Sequence, residues 1–119
     1  MRQFGRSLGH AARGVKQTWR HERNFRIQVV TGVVVALAAW GLHFGALRFA
    51  VLAVVVGLVL ACELLNTALE EMWGKAGVSE EVGRSKDAAA GAVLVVAGTA
   101  VVVGLALFIE PIARALGHG

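Results

Sequence analysis

Three long apolar stretches constrain this chain more than any other feature. Residues 27–47 carry no formal charge, residues 49–69 are apolar as far as Cys62 before meeting Glu63 and Asn66, and residues 88–109 are again uncharged. Each is long enough to cross a bilayer as a helix, because roughly 20 residues rising about 1.5 Å each span a hydrocarbon core of about 30 Å. A water-soluble domain of 119 residues could not hide a composition that is 56% hydrophobic and 17% charged, since small domains keep much of their surface exposed. The same composition excludes disorder. A lone cysteine, Cys62, excludes a disulfide scaffold. The expectation is an all-α integral membrane protein with one domain over 1–119. It has an N-terminal amphipathic surface helix over 1–26 and three transmembrane helices at 27–47, 49–69 and 88–109. Arg48 separates the first two spans, and Glu110 with Pro111 is expected to end the third, because proline cannot continue the helix.

The formal charge of +4 is unevenly spread. Arg2, Arg6, Arg13, Lys16, Arg20, Arg23 and Arg26 all precede the first span, opposed only by Glu22. Such a cluster suits nucleic acid or an anionic membrane surface. The apolar runs select the membrane, and no nucleic-acid partner is expected. Phe4, Leu8, Ala11, Val15 and Trp19 recur at helical spacing between the cations, the pattern of a helix lying on a charged leaflet. The segment is too long for a cleavable signal peptide and lacks a small-residue cleavage site, so the mature chain is expected to begin near Met1. Lys75, Arg84 and Lys86 lie between spans two and three, against only Arg48 and Arg114 on the other side. The positive-inside rule then places the N-terminus in the cytosol and the C-terminus outside.

Glu63 and Asn66 are the most informative residues. A carboxylate inside a span costs roughly 2.5–3.5 kcal/mol even on the lenient insertion scale. Glu63, Asn66 and Glu70 stand at i, i+3 and i+7, on one helical face. Glu63 lies about 10 Å deeper than Glu70 along the axis. One reading is a polar lock between helices. Two carboxylates and an amide on one face favour chemistry instead. Glu22, Glu70, Lys86 and Asp87 gather at the same membrane surface by the orientation argument. Paired carboxylates suit Mg²⁺, which is usually held by one or two carboxylates plus substrate phosphates. A lysine neutralises phosphate charge, and a glutamate in the hydrocarbon can accept a hydroxyl proton. These parts suit a site joining a soluble phosphate donor to a lipid hydroxyl.

Three stretches carry a family resemblance: Arg13-Gly14 through Glu22-Arg23-Asn24-Phe25, then Glu63-Leu64-Leu65-Asn66-Thr67-Ala68-Leu69-Glu70, then Lys86-Asp87-Ala88-Ala89-Ala90-Gly91-Ala92-Val93. The chain resembles the small prokaryotic diacylglycerol kinases, which include undecaprenol kinases. The resemblance implies a lipid kinase of the bacterial inner membrane that uses ATP and Mg²⁺ and assembles as a homotrimer. It implies Glu63 as general base, Asn66 as its support, and Glu22 with Glu70 as metal ligands. Lys86 and Asp87 would stand near the nucleotide phosphates, and His10 near the nucleotide. Asn66-Thr67-Ala68 and the Glu22-to-Phe25 run look nearer to the undecaprenol kinases, so the substrate expectation leans to undecaprenol over diacylglycerol. Two departures stand out. Gly74 replaces an aspartate usual in the family, and the loop from Glu70 to Lys86 is about two residues short. Altered nucleotide affinity is the expected consequence, because loops tolerate deletion.

No phosphate-binding loop of the G-x-x-x-x-G-K-[ST] kind and no protein-kinase signature is present. His10, His21, His43 and His118 lack metal-ligand spacing. His43 reads as interfacial and Cys62 as a small buried hydrophobe. Gly41 with Gly45, and Gly91, Ala92 and Gly98 on span three, suggest close helix contacts. Trp19 and Trp40 suit the two membrane interfaces, with Trp73 just past span two. Two functions from other classes fit part of the pattern: a small pore or transport subunit, and a membrane-anchored scaffold. The pore leaves the clustering of Glu22, Glu70, Lys86 and Asp87 unexplained, and the scaffold predicts binding by the N-terminal segment and indifference to changes at Glu63.

Overall fold

The computed structural model describes residues 2–117. The expected start at Met1 and the histidine at position 118 lie outside the described residues. The chain forms four α-helices: α1 Arg2–His21, α2 Arg23–Gly41, α3 Ala46–Ala76 and α4 Glu80–Gly117. The last three are long and apolar enough to cross a membrane. Only Phe25, Ala39, Phe44 and Leu52 form a buried apolar core among the described residues, while Val33, Val34, Leu37, Val54, Leu58, Leu94, Val101 and Leu105 are exposed. Large side chains exposed in this way would each forfeit about 1.5–3 kcal/mol in water. Lipid removes that penalty, so the inside-out pattern is that of a membrane fold.

The joint between α1 and α2 is a single residue. Glu22 adopts an extended backbone (φ −112°, ψ 108°). The last carbonyls of α1 lose their helical partners there, and Arg26 replaces them. Its guanidinium donates to the carbonyls of Trp19 at 2.7 Å and Arg20 at 3.0 Å. Arg26 therefore caps the surface helix rather than extending the basic leader. The apolar face of α1, with Phe4, Leu8, Val15 and Trp19, is exposed.

The α2–α3 connection differs from expectation. The first span ends at Gly41, six residues early, and Arg48 falls inside the first turn of α3. The stop is a Schellman motif: Phe44 N–H donates to Ala39 O and His43 N–H to Trp40 O, both at 3.0 Å. His43 takes the left-handed conformation (φ 62°) usually given to glycine. Ala39 and Phe44 belong to the same buried cluster as Leu52, the apolar contact that accompanies this motif. His43 thus has a backbone role that its sequence context did not show.

The third span does not stop at Pro111. Helix α4 continues through it to Gly117. Pro111 leaves the carbonyl of Leu107 without its i+4 donor. The Arg48 guanidinium fills that vacancy, donating to Leu107 O at 2.7 Å. Arg48 also lies 3.6 Å from Glu110, and Glu110 lies 3.8 Å from Arg114. Membrane helices tolerate proline where a neighbour satisfies the freed carbonyl, and Arg48 does so here.

Close helix approach also falls elsewhere than expected. A Cβ at Gly41, Gly45, Gly91 or Gly98 would meet nothing within 4 Å, whereas one at Gly32 would lie 2.9 Å from Val56 Cγ1. Gly32 is where α2 and α3 pack most tightly against each other among these glycines.

Candidate functional site

The polar stripe of α3 opens onto α4. Asn66, Glu70 and Trp73 from α3 face Lys86, Ala90 and Val93 from α4 across a cleft of about 550 Å³. The cleft exists because α3, at 31 residues, is about 46 Å long and outruns the hydrocarbon core. Its polar last turns emerge where a carboxylate can be solvated. The turn at 77–79 then reverses the chain. Gly77 has a left-handed φ of 83°, and Ser79 Oγ caps α4 by accepting from Val82 N–H at 3.1 Å. Helix α4 begins at Glu80, eight residues before the expected span, so Lys86 sits on a rigid helix and not in a loop. The short connection seen in the sequence is a three-residue turn between two helices.

Within the cleft, the Asn66 amide donates to Glu70 Oε1 at 2.8 Å. The amide expected to support Glu63 is turned to Glu70, one turn nearer the surface. Glu63 is half-buried on the same face. Glu22 and Glu70 stand near enough for their charges to act on it. Glu63 thus feels a like charge from its own helix and another from the α1–α2 joint. Hard oxygen donors of this kind fit Mg²⁺. No group of three or more His, Cys, Asp or Glu side chains among the described residues forms a closed metal cluster. Within one chain, then, these carboxylates do not by themselves complete a metal site, and any Mg²⁺ there would need further oxygen ligands such as phosphate.

Four expected site residues are absent from the cleft lining: Glu22, Glu63, Asp87 and His10. Asp87 follows Lys86 but is exposed and absent from the lining, because consecutive helical residues point about 100° apart. His10 lies twelve residues before Glu22 on α1, about 18 Å along the axis. It is bonded there to the Arg13 guanidinium at 2.8 Å. Trp73 and Ser85 join the site without having been expected. The indole N–H of Trp73 donates to Ser85 Oγ at 3.1 Å, and Lys86 Nζ lies 6.0 Å from the centre of its ring. A signal for Trp73 was available: it continues the 63, 66, 70 spacing by three residues.

A family model described as prokaryotic diacylglycerol kinase matches residues 9–108. The chain is 45% identical to a diacylglycerol kinase of Synechocystis sp. over 114 residues, covering 89% of this chain but only 62% of that longer relative. It is 31% identical to the undecaprenol kinase of Bacillus subtilis over 111 residues, covering 92% of this chain and 90% of that protein. The matched segment contains the α1–α2 joint, the α3 stripe and the first turns of α4, and the chain belongs to the prokaryotic diacylglycerol kinase family of lipid kinases.

Proposed function

We propose that this protein transfers the terminal phosphoryl group of ATP to the primary hydroxyl of a membrane lipid alcohol. The observation that carries the reading is the cleft itself. An amide-bound carboxylate and a lysine converge at the end of the polar stripe, and Glu63, deeper on the same stripe, feels the charges of Glu70 and Glu22. Glu63 accepts the hydroxyl proton at its carboxylate. The freed oxygen forms a bond to the terminal phosphorus, the bond to the bridging oxygen breaks, and ADP departs. Lys86 binds the phosphate oxygens and offsets the charge that builds on them. Asn66 orients the Glu70 carboxylate. Glu22 and Glu70 would hold Mg²⁺, which when bound neutralises phosphate charge. Such transfer needs mostly positioning and charge, so a site without a phosphate-binding loop suffices.

The cleft opens on the cytosolic side of the bacterial inner membrane in this reading, which the basic N-terminal segment supports. A homotrimer belongs to it as well. Glu22, Glu63, Asp87 and His10 do not line the cleft within one chain, and neighbouring copies would supply a route for such residues to reach a shared site. The lipid is undecaprenol, a reading supported by the Asn66-Thr67-Ala68 form and by the nearly end-to-end match to the Bacillus relative. The higher identity to the Synechocystis protein makes diacylglycerol the competitor.

The test offers each lipid separately, in mixed micelles, to purified protein with ATP labelled at the terminal phosphate. Label entering undecaprenol before diacylglycerol is expected. Equal or greater labelling of diacylglycerol overturns the lipid assignment. No label in either, from folded protein, overturns the kinase.

A further inference from the structure

Lysine and glutamate side chains sharing one cleft normally pair with each other. Here they do not. Glu70 is occupied by the Asn66 amide at 2.8 Å. The Lys86 ammonium lies instead over the Trp73 ring, 6.0 Å from its centre. That ring is in turn fixed across the helices by its N–H bond to Ser85 Oγ. Trp73 and Ser85 belong to different helices, so the bond also sets the spacing of α3 and α4 at the mouth of the cleft. A lysine on a flexible stem has many rotamers. An aromatic face restricts them while leaving the positive charge available to an anion.

We propose that Trp73 is a positioning residue that holds Lys86 apart from Glu70, keeping the cation free for phosphate and the carboxylate free for metal. This rests on the lipid-kinase reading and extends it to a residue that neither spacing nor resemblance had assigned. Removing the ring lets Lys86 fall onto Glu70, so that both groups are lost to the nucleotide together. The aspartate usual in the family at position 74 is a glycine in this chain. A Cβ there would meet nothing within 4 Å, so position 74 contributes no wall to the cleft, and Trp73 beside it does.

The test compares kinetics of Trp73→Leu, Trp73→Phe and Ser85→Ala in the full chain, each in Lys86 and Lys86→Ala backgrounds. Trp73→Leu is expected to raise KM for ATP about fivefold and to raise the Mg²⁺ concentration giving half-maximal rate, with KM for the lipid unchanged. Trp73→Phe keeps the ring and restores most of the loss, and Ser85→Ala costs about twofold. In the Lys86→Ala background the Trp73→Leu effect is expected to vanish, because the two residues act as one unit. An equal effect in both backgrounds, or an unchanged KM for ATP, overturns the proposal. Should Trp73→Leu fail to fold, Trp73→Phe and Ser85→Ala decide it by the same coupling. Inactivity of the unsubstituted protein would sink the kinase reading itself, whereas activity indifferent to Trp73 sinks this inference alone.

Discussion

The two ends of the helical bundle use charge in opposite ways. At the α2–α3 connection the described charges Arg48, Glu110 and Arg114 all have partners. Arg48 is spent on the Leu107 carbonyl and on Glu110, and Glu110 also meets Arg114. Phe44 packs against Phe108 at 4.8 Å and Phe49 at 6.0 Å, above the buried cluster of Ala39 and Leu52. At the α3–α4 connection, Glu63 feels the like charges of Glu70 and Glu22, none of the three is in an ion pair among the described residues, and Lys86 faces a ring. Like charges placed together oppose folding, so they persist only where other parts of the structure hold them. The first end is held by its ion pairs and aromatic packing, and in the proposed reading the second keeps its groups free to meet a ligand.

The largest expected effect belongs to the open end. Glu63→Gln keeps shape and hydrogen-bonding capacity but removes the base. Turnover should fall by about 10²–10⁴-fold while the thermal unfolding midpoint in detergent stays within a degree or two. Retained turnover would remove the base assignment. Next come Glu22→Gln and Glu70→Gln, each expected to raise the Mg²⁺ requirement about tenfold in a metal titration. An unchanged titration curve would show that these are not the ligands.

At the closed end, Arg48→Leu leaves the Leu107 carbonyl unsatisfied and should lower stability by about 1–3 kcal/mol. Pro111→Ala gives that carbonyl a backbone N–H again, so the double variant should regain much of the loss. Additive losses would show that the guanidinium is not compensating for proline. The smallest effect is at His43. Valine there, in the left-handed region, should cost about 1–2 kcal/mol, and glycine should be neutral or slightly stabilising. Equal stability of the two variants in a denaturant titration would argue against the Schellman stop.

The spans were legible because an apolar run of bilayer length needs no tertiary information. The Glu63, Asn66, Glu70 stripe was legible because helical spacing places those residues on one face whatever surrounds them. The stops were not. Pro111 reads as a terminator unless the guanidinium that satisfies Leu107 is known, and that residue lies 59 positions away. Gly41 and Gly45 resemble a contact motif, yet the close approach is at Gly32 against Val56, a matter of how two helices cross. Lys86 and Asp87 are adjacent in the chain and on different faces of α4. Asn66 could serve either glutamate by spacing, and its choice of Glu70 is a rotamer that periodicity does not encode.

The central claim, that one end of the bundle does chemistry and the other holds it in place, is tested most directly by measuring turnover per folded molecule and unfolding midpoint together. Glu63→Gln and Arg48→Leu would be compared with the unsubstituted protein in one vesicle preparation. The expected result is a separation: Glu63→Gln melts normally and transfers almost no phosphate, while Arg48→Leu melts early and, below its midpoint, transfers phosphate at nearly the full rate. Loss of turnover in folded Arg48→Leu, or full turnover in Glu63→Gln, would contradict it.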